Sequence, residues 1–340
     1  MKKIALLGGS FDPVHDGHVE IAKAARKQLS VDEVWFVLSA ITPLKKRQLS
    51  AYHHRYQMLK RALHKYKKFK ICTIEKGSTE ANYTVDTIRK LKRKHPKNKF
   101  YFLFGADQVA HLHEWKDIDI LSKQITLCVV KRNTYQLTSS YKLRPIEMKE
   151  VNISSSEIRS GALAHLHPKV KQYMMEHMLY PEMLRKWMSE KRYEHSVRVA
   201  KFAQEIARNQ HLDPYIAYMG GFYHDIHKED KMLSRLQSVC VLKQLKPALL
   251  HQPETLWHGY IGRFVCSHYF LMQHKKVLKA IEHHVLAESF GVYEQLLFVA
   301  DKLEIGRSHT KQEQRLLANK DIRRSFKEVK QQQMLFYEKE

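Results

Sequence analysis

A chain that runs from Ile4-Ala5-Leu6-Leu7 through Gly8-Gly9-Ser10-Phe11-Asp12-Pro13-Val14-His15-Asp16-Gly17-His18 into Val19-Glu20-Ile21-Ala22 has few ways to fold. The short apolar run bounded by glycines reads as a buried parallel strand. The segment after His18 has helical spacing and good helix formers. Strand, glycine turn and helix start together make a corner whose unpaired N–H groups point at an anion. His15 and His18 stand three residues apart at its mouth, so both imidazoles can face one bound polyphosphate. They can donate to phosphoryl oxygens and offset charge that develops on transfer. The plainer alternative is a pair of surface histidines in a turn of a chain that holds 22 of them.

The first half alternates strand and helix. Residues 31–39, 69–74, 99–104 and 125–130 read as strands, with an edge strand over 146–153. Helices are expected over 51–66 and 84–94. This order implies an α/β, Rossmann-like domain with a parallel sheet and helices on both faces. Such sheets bind ligands outside the carboxyl ends of their strands, and the other motifs fall at those ends. Lys45, in Pro43-Leu44-Lys45, is either a point charge for a triphosphate or a solvated surface lysine. In Asn152-Ile153-Ser154-Ser155-Ser156-Glu157-Ile158-Arg159, Ser154 can cap a helix while Ser155 and Arg159 reach one face, four residues apart. A hydroxyl and a guanidinium at a helix N-terminus make a phosphate cradle.

From residue 181 the strands stop and apolar residues recur at helical spacing, so the organisation expected is 1–180 followed by an all-α domain over 181–340. That domain carries His195, His224-Asp225, His258-Gly259, His284 and Asp301. Each histidine alone reads more plainly as a surface or core residue. An Asp beside a His after an apolar helix suits a buried metal, and a bridging Asp can hold two ions. Imidazole nitrogens and carboxylate oxygens suit iron, manganese or zinc.

Composition bounds the rest. The 340 residues are 44% hydrophobic, which excludes a disordered chain. Cys72, Cys128, Cys240 and Cys266 form no C-x-x-C pair, and no apolar run reaches membrane-spanning length, so a cytoplasmic protein is expected. The net charge of +24 reads first as lysine-rich composition, then as a field that steers anionic nucleotides inward. Nucleic-acid binding ranks last, because no such motif accompanies the charge.

Gly9-Ser10-Phe11-Asp12-Pro13 followed by His15-Asp16-Gly17-His18 resembles the H-x-G-H signature of the nucleotidyltransferases, above all the bacterial nicotinate-nucleotide adenylyltransferases. The Asn82-Tyr83-Thr84-Val85-Asp86-Thr87 and Ile153–Arg159 segments resemble further elements of that family. The resemblance implies adenylyl transfer from ATP, accompanied by Mg2+, to nicotinate mononucleotide. It assigns His15, His18 and Lys45 to the triphosphate, and Gly8, Gly9, Ser10, Phe11, Gly105, Asp107, Ser155 and Arg159 to nucleotide binding. Thr84 would lie near the nicotinate carboxylate and Trp115 over the pyridine ring. A helix N-cap for Thr84 and a core position for Trp115 stand beside those roles. Leu44 departs from the family's usual Pro-His-Lys.

Arg192-Tyr193-Glu194-His195-Ser196, His224-Asp225 with Lys228, His258-Gly259 and Ala300-Asp301-Lys302-Leu303-Glu304-Ile305-Gly306-Arg307 resemble the HD-domain phosphohydrolases, in particular the symmetrical diadenosine tetraphosphate hydrolases. The resemblance implies one metal on His195, His224, Asp225 and Asp301, and a second on His258 and His284 with Asp225 between them. Lys228 and Arg307 would meet the phosphate chain. Counting from Ala280-Ile281 selects His284 and counting back from Asp301 selects His283; His284 is preferred because a loop absorbs a deletion more easily than a helix. The implied substrates are ATP, nicotinate mononucleotide and diadenosine tetraphosphate. Another nucleotide, or a non-catalytic metal-binding module, is the alternative for the second half, and a homo-oligomer is compatible with the sequence.

Overall fold

A computed structural model describes residues 1–41, 48–131, 139–148, 151–229, 231–288, 291–307 and 310–337. They divide into two compact units, Met1–Met174 and Met175–Glu340.

In the first unit Ile4, Ala5 and Leu6 are wholly buried, because the strand they form runs through the middle of a sheet. The strands are β1 (Lys3–Gly9), β2 (Glu33–Leu38), β3 (Phe69–Cys72), β4 (Lys99–Gly105), β5 (Thr126–Lys131) and β6 (Leu143–Glu147). Their order is β3-β2-β1-β4-β5-β6, and every neighbouring pair is parallel. The chain thus winds outward in one direction from β1 and in the other from β4. The switch point lies between those two strands, where Gly8, Gly9 and Gly105 end them. The helices are α1 (Asp16–Leu29), α2 (Tyr52–Leu63), α3 (Thr84–Lys94), α4 (Ile118–Gln124), α5 (Ser155–Arg159) and α6 (Pro168–Glu176). Val85, Ile88 and Leu91 of α3 and Leu121 of α4 share one core with Ile4, Leu6, Phe100 and Phe102 of the sheet.

The edge strand differs from the sequence reading. It runs over Leu143–Glu147 rather than 146–153 and includes Pro145. Among the described residues β6 pairs only with β5, and an edge strand of that kind tolerates a proline. Residues 151–154 instead lead into α5, with Ile153 buried. Thr84 also departs from its N-cap alternative: Tyr83 is the cap and Thr84 the first helical residue. Lys45 lies outside the described residues.

The second unit is α7 (Glu190–Asn209), α8 (Pro214–Tyr223), α9 (Arg235–Leu245), α10 (His258–Phe264), α11 (Lys275–His283), α12 (Val292–Leu303), α13 (Gln312–Lys320) and α14 (Ile322–Tyr337), with no strand among the described residues. Leu296, Leu297, Phe298, Val299 and Ala300 are at most 1% exposed, so α12 is covered all round. Helices α7 and α8 touch backbone to backbone. A Cβ on Gly221 would stand 2.6 Å from Ala200 Cα, so only hydrogen fits there. No described helix is long and apolar enough to cross a membrane.

Candidate active sites

The first site is built by the turn between β1 and α1. Phe11 adopts φ 47°, an uncommon conformation for a residue with a side chain, and its ring covers Gly9, where a Cβ would lie 3.0 Å from it. His15 caps α1 and is 7% exposed. Its N–H donates to His18 Nδ1 at 3.3 Å, and the two rings lie 3.8 Å apart. Because Nδ1 accepts, a neutral His18 carries its proton on Nε2, as a donor. The motif from the far end of the unit docks on the same turn. Ser155 Oγ donates to the Pro13 carbonyl at 2.9 Å, and Arg159 Nη1 to the Asp12 carbonyl at 2.8 Å. Ser154 and Glu157 form a reciprocal cap that starts α5 there. Ser10 is buried beside the turn, and Gly105 and the exposed Asp107 stand at the end of β4. Trp115 is half-buried, with its ring 5.9 Å from Phe102 and 5.4 Å from Phe104, so its core position is real whatever else it does.

The second site is a buried cage in the helical unit. His195 comes from α7, His224 and Asp225 from the turn after α8, His258 from the start of α10, His284 from the end of α11 and Asp301 from α12. All are at most 7% exposed. The Asp225 carboxylate stands at the centre with one oxygen to each side. Its Oδ2 lies 3.4 Å from His224 Nε2 and 3.7 Å from His195 Nε2, and its Oδ1 lies 3.3 Å from His258 Nε2 and 3.7 Å from His284 Nε2. Asp301 Oδ1 closes the first side, 3.0 Å from His195 Nε2 and 3.7 Å from His224 Nε2. Two three-residue groups with metal-ligand spacing result, sharing Asp225. His283 turns away, its ring 5.9 Å from that of Tyr260.

The orientation of the rings bears on what the cage can hold. His224 Nδ1 lies 2.7 Å from the Gly221 carbonyl, His258 Nδ1 2.8 Å from that of Thr255, and His284 Nδ1 2.7 Å from that of Ile281. A carbonyl only accepts, so each Nδ1 carries a proton and each Nε2 is the nitrogen turned inward, where it can give its lone pair to a cation. The carbonyls of Gly221 and Ile281 belong to last helical turns that need such partners. The buried Nε2 atoms of His224, His258 and His284 have no well-aligned hydrogen-bond partner among the described residues, which is costly unless something else binds them. Imidazole nitrogens and carboxylate oxygens facing one another in this way fit divalent cations.

Charge agrees with that fit. Burial works to raise Asp225 and Asp301, yet His224 beside the first and Lys302 beside the second hold both well below the usual carboxylate range. Burial works to lower His224, yet Asp225 and Asp301 raise it to about 9, so its Nε2 also keeps a proton, a positive charge that a bound cation would replace. Burial brings His284 down to about 3, leaving it neutral. Arg307 Nη2 donates to Asp301 Oδ1 at 3.0 Å, and Lys228 Nζ lies 3.4 Å from Asp225 Oδ1. Both therefore rest on cage carboxylates in this structure.

Sequence reasoning gave Arg192 and Glu304 no role. Arg192 Nη1 donates to Asp225 Oδ2 at 2.6 Å, and Glu304, 1% exposed, lies against His195. Both sat inside quoted motifs, and the signal missed was their spacing from a ligand, three residues before His195 and three after Asp301. Beside His258 opens a cavity of about 360 Å3 lined by Arg192, Lys228, Arg235 and Trp257, cationic and suited to phosphate.

Comparison with known proteins gives two family matches, cytidylyltransferase-like over residues 6–161 and HD domain over residues 192–306. A probable nicotinate-nucleotide adenylyltransferase of Bacillus pumilus is 37% identical over 187 residues, covering 53% of this chain and 99% of that protein. One of Halalkalibacterium halodurans is 42% identical over 190 residues, covering 53% and 92%. A probable nicotinate-nucleotide adenylyltransferase/Ap4A hydrolase of Mycoplasma genitalium is 27% identical over 324 residues, covering 92% of this chain and 89% of its own length.

Proposed function

The chain belongs to the nicotinate-nucleotide adenylyltransferase family through its first half and carries an HD domain in its second, and from that premise we propose a bifunctional enzyme of dinucleotide metabolism. Residues 1–180 would transfer an adenylyl group from ATP to nicotinate mononucleotide, and residues 181–340 would hydrolyse diadenosine tetraphosphate symmetrically.

In the first half no side chain acts as nucleophile. The mononucleotide phosphate attacks the α-phosphorus of ATP, and pyrophosphate leaves with its Mg2+. His15, His18 and the first N–H groups of α1 donate to the phosphoryl oxygens as charge builds on them. Gly8 and Gly9 admit the phosphates to the backbone, Ser155 and Arg159 fix the turn that holds them, and Gly105 and Asp107 meet the ribose. Lys45 adds a point charge to the triphosphate. Thr84 and Trp115 serve the nicotinate end.

In the second half His195, His224, Asp225 and Asp301 would hold one divalent cation, and Asp225, His258 and His284 another, with iron the expected metal. Such a pair supplies Lewis-acid activation of water and of the scissile phosphate. The chain's own cations would exchange a cage carboxylate for the phosphate chain: Lys228 and Arg192 on the cavity side, Arg307 on the Asp301 side. Attack at the central anhydride releases two ADP.

The observation that carries the reading is the Asp225 carboxylate, each of whose oxygens faces its own group of imidazoles. The experiment is incubation of the full chain with diadenosine tetraphosphate and iron(II) or manganese(II), with products separated by chromatography. The expected result is two ADP, abolished by chelation, and abolished in His224→Ala under conditions where adenylyl transfer with Mg2+ persists. ATP plus AMP would refute symmetrical cleavage, and an intact substrate would refute the hydrolase assignment.

A further inference from the structure

Three of the cage imidazoles are aimed by a backbone carbonyl, but His195 is not. It lies inside α7, where the carbonyls are engaged along the helix, and its Nδ1 faces Glu304 Oε1 at 3.2 Å instead. Glu304 stands just past the end of α12, three residues beyond Asp301. Its other oxygen is fixed by two donors, Arg198 Nε at 2.9 Å and the Gly306 N–H at 2.5 Å. Arg198 lies one turn along α7 from His195, so the same helix that presents the imidazole presents the guanidinium that holds its partner.

Gly306 is part of the arrangement. A Cβ there would lie 2.7 Å from Arg198 Nε and 2.8 Å from Glu304 Oε1, so any side chain would push the carboxylate or the guanidinium out of place.

We propose that Glu304 is a positioning residue for the cage. It holds a proton of His195 on Nδ1, as the backbone carbonyls do for the other three rings, so that Nε2, 3.0 Å from Asp301 Oδ1, is the nitrogen left to turn to a cation. Arg198 and the bare backbone of Gly306 keep the carboxylate in that pose. This rests on the reading of the cage as a site for divalent cations.

Glu304→Gln separates this role from mere packing. The glutamine has one acceptor oxygen, and the two donors from Arg198 and Gly306 claim it. Its NH2 then faces His195 Nδ1, which must become an acceptor, and the ring proton moves to Nε2, into the cage. Two readouts on the full chain follow. The first is manganese(II) binding to chelator-treated protein, followed by electron paramagnetic resonance. The second is the His195 tautomer in metal-free protein, read from ring 15N shifts and assigned by comparison with His195→Gln.

The expected result is two manganese ions on the wild type, with one of them weakened about ten- to hundred-fold in Glu304→Gln. The His195 proton should move from Nδ1 to Nε2 in the same variant. Wild-type manganese affinity with the proton still on Nδ1 would overturn the inference, as would weakened binding with the tautomer unchanged. If the wild type itself bound no manganese, the cation reading would fall, and the tautomer in metal-free protein would still decide for or against Glu304. Should Glu304→Gln not fold, Gly306→Ala keeps the charge and crowds the carboxylate. It should weaken the same manganese ion by a smaller factor, and unchanged binding there would overturn the inference.

Discussion

Arg55 Nη1 donates to the Ser10 carbonyl at 3.0 Å, in a fully buried contact between α2 and the phosphate corner. The same nitrogen reaches the Ser39 carbonyl at 2.7 Å, and Nε reaches that of Ser50 at 2.9 Å. One guanidinium thus ties the glycine turn to the end of β2 and to the segment entering α2. Arg55→Met should cost the first unit about 2–4 kcal/mol, since it leaves several buried carbonyls without a charged donor. Chemical denaturation monitored through the first unit's tryptophans checks this, and a loss below about 0.5 kcal/mol would refute the clamp.

Arg159 lies 147 positions along the chain from Asp12 and holds its carbonyl. Removing it should disturb the turn and the anion site together. Arg159→Ala is expected to lower kcat/KM for adenylyl transfer about 10²–10³-fold while diadenosine tetraphosphate hydrolysis is unchanged. Pyrophosphate release measures the first and ADP formation the second.

Glu75 is 6% exposed and accepts a hydrogen bond from Thr87 Oγ1 at 2.6 Å. Burial raises its carboxyl above the ordinary 4.5, and the Thr87 bond only partly opposes this. A raised folded value favours the protonated form, so its contribution to stability is full below pH 4.5 and is lost as pH climbs through the folded value. Glu75→Gln mimics the neutral acid. The variant should melt above the wild type at pH 7–8, and the gap should close toward pH 4. A gap independent of pH would show that ionisation is not its cause.

The Gly221–Ala200 contact leaves no room for a methyl group. Gly221→Ala should therefore separate α7 from α8, lowering the stability of the helical unit by about 1–3 kcal/mol or more. Because α7 carries His195 and α8 leads into His224, manganese binding should weaken with it. Calorimetry resolves whether the transition of the first unit stays in place, as expected.

The two constellations were legible for different reasons. In the first half His15 and His18 are neighbours in sequence, so a local strand-turn-helix pattern already put them side by side at one turn. In the second, the cage residues are spread over more than a hundred positions. They were found because His224 and Asp225 are adjacent and because their surroundings resembled a family, not because spacing alone brings α7, α11 and α12 together. Counting residues could not separate His284 from His283, because what divides them is local: a last-turn carbonyl turns the His284 ring inward while the His283 ring packs on Tyr260. The edge strand was misplaced because alternation over 146–153 looks like a strand, while the pairing that makes Leu143–Glu147 one is a property of the sheet. Glu304 was invisible as a partner because its relation to His195 spans 109 positions.

The carbonyls that aim His224, His258 and His284 belong to Gly221, Thr255 and Ile281, and every amino acid carries the same atom. Substitution at those three positions cannot delete the acceptor, so sequence drift there leaves the rings pointed inward wherever the backbone path survives. His195 has no such insurance. Its aim depends on one carboxylate, which every substitution at position 304 except aspartate removes, and aspartate withdraws it by one methylene. The cage is therefore tolerant of change at Thr255 and Ile281, intolerant at Gly221 only because α7 packs against its backbone, and brittle around His195, so loss-of-function variants that spare every ligand and the helix packing should gather at Glu304, Gly306 and Arg198.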